Sequence, residues 1–128
     1  MIATVTDKRP VNLDLTTIKF PLPAIASISH RISGIALFFA MPFLLWALDR
    51  SLASPEGFEQ VRSIMATPLA SLITWLILAA LLFHLLAGVR HLIMDMGWGE
   101  SLQAGRRSAA VVFAAFVVLM ILAGVWIW

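Results

Sequence analysis

Three long apolar blocks, at about residues 24–48, 67–94 and 108–128, constrain this chain more than any other feature. At 1.5 Å per residue, a helix of that length crosses the roughly 30 Å hydrocarbon layer of a bilayer. A spanning segment has to satisfy its own backbone hydrogen bonds, so helices are the expected form. Composition agrees. The 128 residues are 61% hydrophobic and only 12% charged, where a soluble domain is nearer half apolar and a quarter charged. The expected fold is an all-α membrane protein with three transmembrane helices, forming a single membrane-anchor domain over residues 1–128.

The connecting segments add detail. Ser54-Pro55-Glu56-Gly57 reads as a helix start, with Ser54 as cap and Pro55 at the first helical position. Phe58, Val61 and Met65 then fall on one face, which predicts a short interfacial helix. Thr67 and Pro68 open the second span in the same way. Phe20-Pro21-Leu22-Pro23 leads into the first span, and Pro42 inside it removes one backbone bond and predicts a kink near Phe38. Gly97-Trp98-Gly99 marks a turn, and Gly105-Arg106-Arg107 precedes the third span. Residues 1–22 are polar and lack the apolar core and cleavage site of a secretory signal. They read as a retained cytoplasmic segment.

Charge orients the chain. Lys8, Arg9, Lys19 and Arg31 lie on the side of the N-terminus, and Arg90, Arg106 and Arg107 flank the second loop on that same side. The first loop holds Arg50 and Arg62, diluted by Asp49, Glu56 and Glu59. Basic residues favour the cytoplasm, so the N-terminus is expected there and Trp128 in the periplasm. Trp46, Trp98, Trp126 and Trp128 fall near the interfaces as aromatic anchors, while Trp75 lies deeper as a packing residue. No cysteine is present, which excludes disulfides, thiolate-held clusters and covalent c-type haem in this polypeptide. The net charge of +2 comes with no nucleic-acid motif. Three spans without an internal repeat give a transporter no support.

His84 is the residue that asks for chemistry. An ionisable group deep in a span is costly and functional by default. On a helix His84, Gly88 and His91 share one face, and Gly88 leaves room for something flat and wide. Two readings stand. One is an interhelical hydrogen bond. The other is an axial ligand of a haem, held in its ligating tautomer by a second hydrogen bond. His84 lies about ten residues from the cytoplasmic end of its span, roughly 15 Å, and His30 about six residues into its own, roughly 9 Å. That mismatch in depth argues against both histidines serving one iron, and His91 shares a helix with His84. A second ligand is therefore expected from another subunit.

Ser27-Ile28-Ser29-His30-Arg31-Ile32-Ser33-Gly34 forms a polar cluster at the inner interface. Ser27 and Arg31 project from one face. Arg31 can simply snorkel to headgroups, and Ser27 can bond the carbonyl one turn back. Together a hydroxyl and a guanidinium can also bind a quinone carbonyl, and Arg31 or His30 can pair with haem propionates. Asp95 reads as the partner of His91 or Arg90, with a proton route to a reduced quinone as the other possibility. Glu100 reads as a solvated loop charge.

These residues carry a resemblance. Arg9-Pro10-Val11-Asn12-Leu13-Asp14-Leu15, Ala26 to Gly34, and His84 to Asp95 resemble the cytochrome b556 membrane-anchor subunits of bacterial succinate dehydrogenase. Ser54 to Gln60 and Leu122-Ala123-Gly124-Val125 resemble the enterobacterial type. The likeness covers nearly the whole chain. It implies a three-helix subunit that packs with a second anchor subunit into a heterodimeric bundle in the bacterial inner membrane, holding one haem b between them.

Within that likeness His84 matches the haem ligand. Ser27 and Arg31 match the ubiquinone site and Ile28 its lining, while His30, Arg31 and His91 match positions near the haem propionates. The remaining implied partners are an iron–sulfur subunit, a flavoprotein subunit that oxidises succinate, and membrane lipid. The polypeptide alone lacks the flavin and clusters and cannot oxidise succinate. The implied function is electron transfer from the iron–sulfur subunit to ubiquinone in the respiratory chain and tricarboxylic acid cycle. The family's quinone site includes a tyrosine, and since this chain contains none, that residue is expected from the other anchor subunit. A haem-containing fumarate reductase anchor using menaquinone and a purely structural anchor are the alternatives.

Overall fold

The computed structural model describes residues 17–128. The 9–15 motif and the charges Asp7, Lys8, Arg9 and Asp14 lie outside the described residues. Those described form four helices in the order α1 (Leu22–Ala53), α2 (Pro55–Met65), α3 (Pro68–Asp95) and α4 (Leu102–Ile127). The helices α1, α3 and α4 are long and apolar enough to cross a membrane. At 32, 28 and 26 residues, they measure about 40–48 Å, longer than the hydrocarbon layer.

Capping chemistry fixes the ends, and for the end of α1 and the start of α4 it does so outside the apolar blocks. The α1 helix continues unbroken across Pro42 and through Asp49 and Arg50. It stops at Ala53 because Ser54 precedes a proline and is held extended, at φ −164° and ψ 163°. The Ser54 hydroxyl then accepts from the Gly57 amide and starts α2. Hydrogen bonds from the Glu56 backbone amide and from Ser54 hold the Glu56 carboxyl below its ordinary range. Thr67 caps α3 through the Ala70 amide, with Pro68 in the first turn. Gly97 and Gly99 take φ of +83° and +79°, the left-handed region that glycine enters freely, and turn the chain after α3. Ser101 caps α4 through the Ala104 amide. The helix therefore begins at Leu102 and includes Gly105, Arg106 and Arg107, which the sequence placed before the span.

Helix α2 folds back against the end of α1. Gly57, Val61, Ile64 and Met65 turn inward while Phe58 stays 55% exposed. The expected Phe58–Val61–Met65 face is thus rotated by about one position, because Gly57 takes the place nearest α1. A bond from Arg50 to Gln60 at 3.4 Å ties the two helices.

Helix α3 lies between α1 and α4. Phe83, Ala87 and Val112 form the buried centre, with Leu86, Phe113 and Phe116 packed against it. Phe83 meets Phe113 at 5.4 Å and Phe116 edge-on at 5.3 Å, and each such pair is worth about 0.5–1.5 kcal/mol. Ala26, Ala87 and Ala109 are all but fully buried. Small residues let membrane helices approach closely where lipid offers no hydrophobic drive to associate. Trp75 packs between α3 and α4 and donates to the Met120 carbonyl at 3.3 Å. The outer surface is strongly apolar, with Phe38 and Phe39 each 74% exposed. Such a surface suits lipid or neighbouring spans.

Candidate functional site

Helices α1 and α3 run antiparallel, and glycines set their register. A Cβ on Gly34 would stand 3.0 Å from His84 Cε1, and one on Gly88 would stand 3.5 Å from His30 Nε2. So Gly34 faces His84, and His30 faces Gly88 one turn away. The backbone offset between the two histidines is the one turn that the depth estimate implied. Their side chains bridge it. The His30 and His84 rings stack at 4.1 Å with 21° between planes, and His91 approaches His30 at 5.2 Å. Despite that offset, all three imidazoles form one cluster between α1 and α3. The surface over Gly88 is likewise taken by His30, and the glycine that faces His84 is Gly34.

The two ring nitrogens of His84 have different surroundings. Nδ1 lies 3.1 Å from Ser33 Oγ and 3.1 Å from the His30 carbonyl oxygen. Nε2 makes no hydrogen bond among the described residues. Ser33 is 7% exposed and donates to that same carbonyl at 2.7 Å. His30 Nε2 is buried with no hydrogen-bond partner among the described residues, an energetically costly condition. Stacked side by side, the two rings cannot bind one metal from opposite sides, since their in-plane nitrogen lone pairs do not face each other. A single metal on His84 would take its remaining ligand from outside this histidine pair. Among the described residues no three His, Asp or Glu side chains converge to hold a metal ion on their own.

Ser27 and Arg31 lie on the strip of α1 beside His30. Ser27 is half-buried, while Ile28 and Arg31 are exposed. Neither Ser27 nor Arg31 makes a side-chain hydrogen bond or ion pair among the described residues, so the donors of both are unspent. Arg90 behaves otherwise. It is only 6% exposed, with Nε donating to Ser108 at 2.9 Å and the guanidinium to the Gly105 carbonyl at 3.2 Å. This corrects the reading of Arg90 as a partner of Asp95. The arginine points into the α3–α4 contact, and Asp95 is exposed with no ion pair among the described residues. The sequence reading gave no role to Ser33, Gly34 or the Arg90 bridge. The Ser-Gly pair after His30-Arg31 was the one signal available for the first two.

The chain matches the family described as Succinate dehydrogenase/Fumarate reductase transmembrane subunit over residues 5–123. It belongs to that family. The succinate dehydrogenase cytochrome b556 subunit of Coxiella burnetii is 50% identical over 122 residues, covering 94% of this chain and 98% of the relative. The subunit of the same name from Paracoccus denitrificans is 35% identical, covering 89% and 88%. The succinate dehydrogenase 2 membrane subunit SdhC of Mycobacterium tuberculosis is 33% identical, covering 77% and 71%. Membership of this transmembrane-subunit family agrees with the three long apolar helices. The chain is a multi-pass membrane protein similar to subunits of an oxidoreductase complex.

Proposed function

We propose that this chain is the haem b-binding membrane anchor of a succinate dehydrogenase, forming part of its ubiquinone-reduction site. The observation that carries the proposal is His84, an imidazole inside a membrane-spanning helix with Nδ1 engaged and Nε2 unspent. The donor set fits a haem. His84 Nε2 would hold the iron, and His30, Arg31 and His91 would lie near its propionates. Bound haem supplies a one-electron redox centre beside the quinone path. With His30 stacked on His84, a second ligand to the iron would come from a second anchor subunit.

Ser27 and Arg31 hydrogen-bond the quinone carbonyls, and Ile28 lines the ring pocket. Electrons reach the quinone from an iron–sulfur subunit at the cytoplasmic face, fed by a flavoprotein subunit that oxidises succinate. Protons enter from the cytoplasm. The complex lies in the bacterial inner membrane, with the N-terminus cytoplasmic and the C-terminus periplasmic. The names of the relatives favour succinate dehydrogenase. The family description also includes fumarate reductase, so activity with ubiquinone against menaquinone analogues separates the two.

The reading is tested on the co-purified complex by optical spectra with and without dithionite. A reduced b-type spectrum that His84→Leu removes or strongly diminishes is expected. A complex with no such spectrum, or a His84→Leu variant with an unchanged one, refutes it.

A further inference from the structure

Ser33 and Gly34 touch His84 and have no part in the roles above. A buried serine in a membrane helix can spend its hydroxyl on a carbonyl of the preceding turn, and Ser33 does so on His30 at 2.7 Å. Its proton committed, Oγ has only acceptor capacity left for His84 Nδ1 at 3.1 Å. The other neighbour of Nδ1 is the His30 carbonyl oxygen, also at 3.1 Å, and a carbonyl oxygen only accepts. A neutral imidazole between two acceptors carries its proton on Nδ1. The other tautomer would set a nitrogen lone pair against a carbonyl lone pair and pull the Ser33 proton from its bond.

Gly34 makes this contact possible. A Cβ there would stand 3.0 Å from Cε1 and 3.4 Å from Nδ1 of the His84 ring. That ring is stacked on His30 and cannot yield like the end of a flexible chain.

We propose that Ser33 and Gly34 are positioning residues that fix His84 with its proton on Nδ1, leaving the Nε2 lone pair for the haem iron. The proposal rests on the haem reading above. A partner on the non-ligating nitrogen orients the ring and raises its basicity, and losing one typically costs about 10–100-fold in metal affinity.

The test uses the assembled, purified complex in four versions: wild type, Ser33→Ala, Ser33→Thr and Gly34→Ala. Three readouts report on the ligand rather than on turnover: haem transfer to excess apomyoglobin, the ferric-haem EPR spectrum, and the haem midpoint potential. Ser33→Ala is expected to lose haem about tenfold faster, with a shifted EPR signal and a raised potential, because a less basic ligand stabilises ferric iron less. Ser33→Thr keeps the hydroxyl and restores all three. Gly34→Ala assembles with reduced haem occupancy. Should Ser33→Ala fail to assemble, Ser33→Cys provides the same comparison with a weaker acceptor.

Wild-type exchange, EPR and potential in the serine variants overturn the role of Ser33. Equal damage in Ser33→Thr and Ser33→Ala overturns it too, by pointing to packing. Full occupancy with a wild-type EPR spectrum in Gly34→Ala overturns the role of Gly34. A parallel His84→Leu complex separates the levels. If it loses haem while Ser33→Ala behaves as wild type, only this inference fails. If it retains haem, the reading beneath fails.

Discussion

The polar groups of Ser27 and Arg31 find no partner among the described residues. A guanidinium at a membrane interface can settle among headgroups, so its exposure alone says little. Quinone chemistry adds a consequence that snorkelling lacks. Ser27→Ala and Arg31→His should each lower quinone reductase activity about tenfold, the worth of one hydrogen bond of roughly 1.4 kcal/mol. Succinate oxidation measured with a soluble artificial acceptor should persist, since that acceptor bypasses the anchor. Equal loss of both activities would locate the defect in assembly. The sequence exposed His84, Ser27 and Arg31 because an ionisable or polar group in an apolar run declares itself. It hid Ser33 and Gly34 because their importance lies in a contact with α3 across 50 or more residues of chain. A helical strip shows which residues share a face, not which face of another helix meets it. For the same reason Gly88 looked vacant until His30 filled the space.

At the scale of elements, the spans and the capped starts of α2 and α3 were legible, while the end of α1 and the start of α4 were not. Apolar runs mark where a helix can sit in hydrocarbon, but hydrogen bonding continues into the polar interface until a cap or a proline ends it. Ser101 and the Ser54-Pro55 pair supply those stops, so α4 starts earlier and α1 ends later than the hydropathy change. The α1–α2 corner shows how tightly one such stop is built. A Cβ on Gly57 would collide with the Arg50 carbonyl oxygen at the end of α1. Replacing an exposed helical glycine with alanine ordinarily gains about 0.5–1 kcal/mol. Here the clash with backbone reverses the sign, since overpacking costs about 1–3 kcal/mol. Gly57→Ala should loosen the corner and speed trypsin cleavage at Arg50 and Arg62 in the detergent-solubilised complex. Cleavage at or below the wild-type rate would mean that α2 does not press on α1 as described.

At the scale of the whole molecule, the three spans place the α1–α2–α3 connection and the α3–α4 connection on opposite sides, and the remaining question is which side is which. Arg90 leaves the tally of free charges because its guanidinium is bound within the α3–α4 contact. Six basic residues then remain on the side of the N-terminus (Lys8, Arg9, Lys19, Arg31, Arg106 and Arg107) against Arg50 and Arg62 on the other. Arg62 is further offset by Glu59 at 3.4 Å. The asymmetry survives the loss of Arg90, so α2 should face the periplasm and the start of α4 the cytoplasm. The absence of cysteine from the sequence makes this directly measurable. Glu59→Cys and Gln103→Cys, both at exposed positions, each introduce a single thiol. In intact bacteria a membrane-impermeant maleimide, admitted to the periplasm, should label Glu59→Cys. It should label Gln103→Cys only after the inner membrane is opened. The opposite pattern would invert the molecule and put Ser27 and Arg31 at the periplasmic face, where an iron–sulfur subunit on the cytoplasmic side could not serve them.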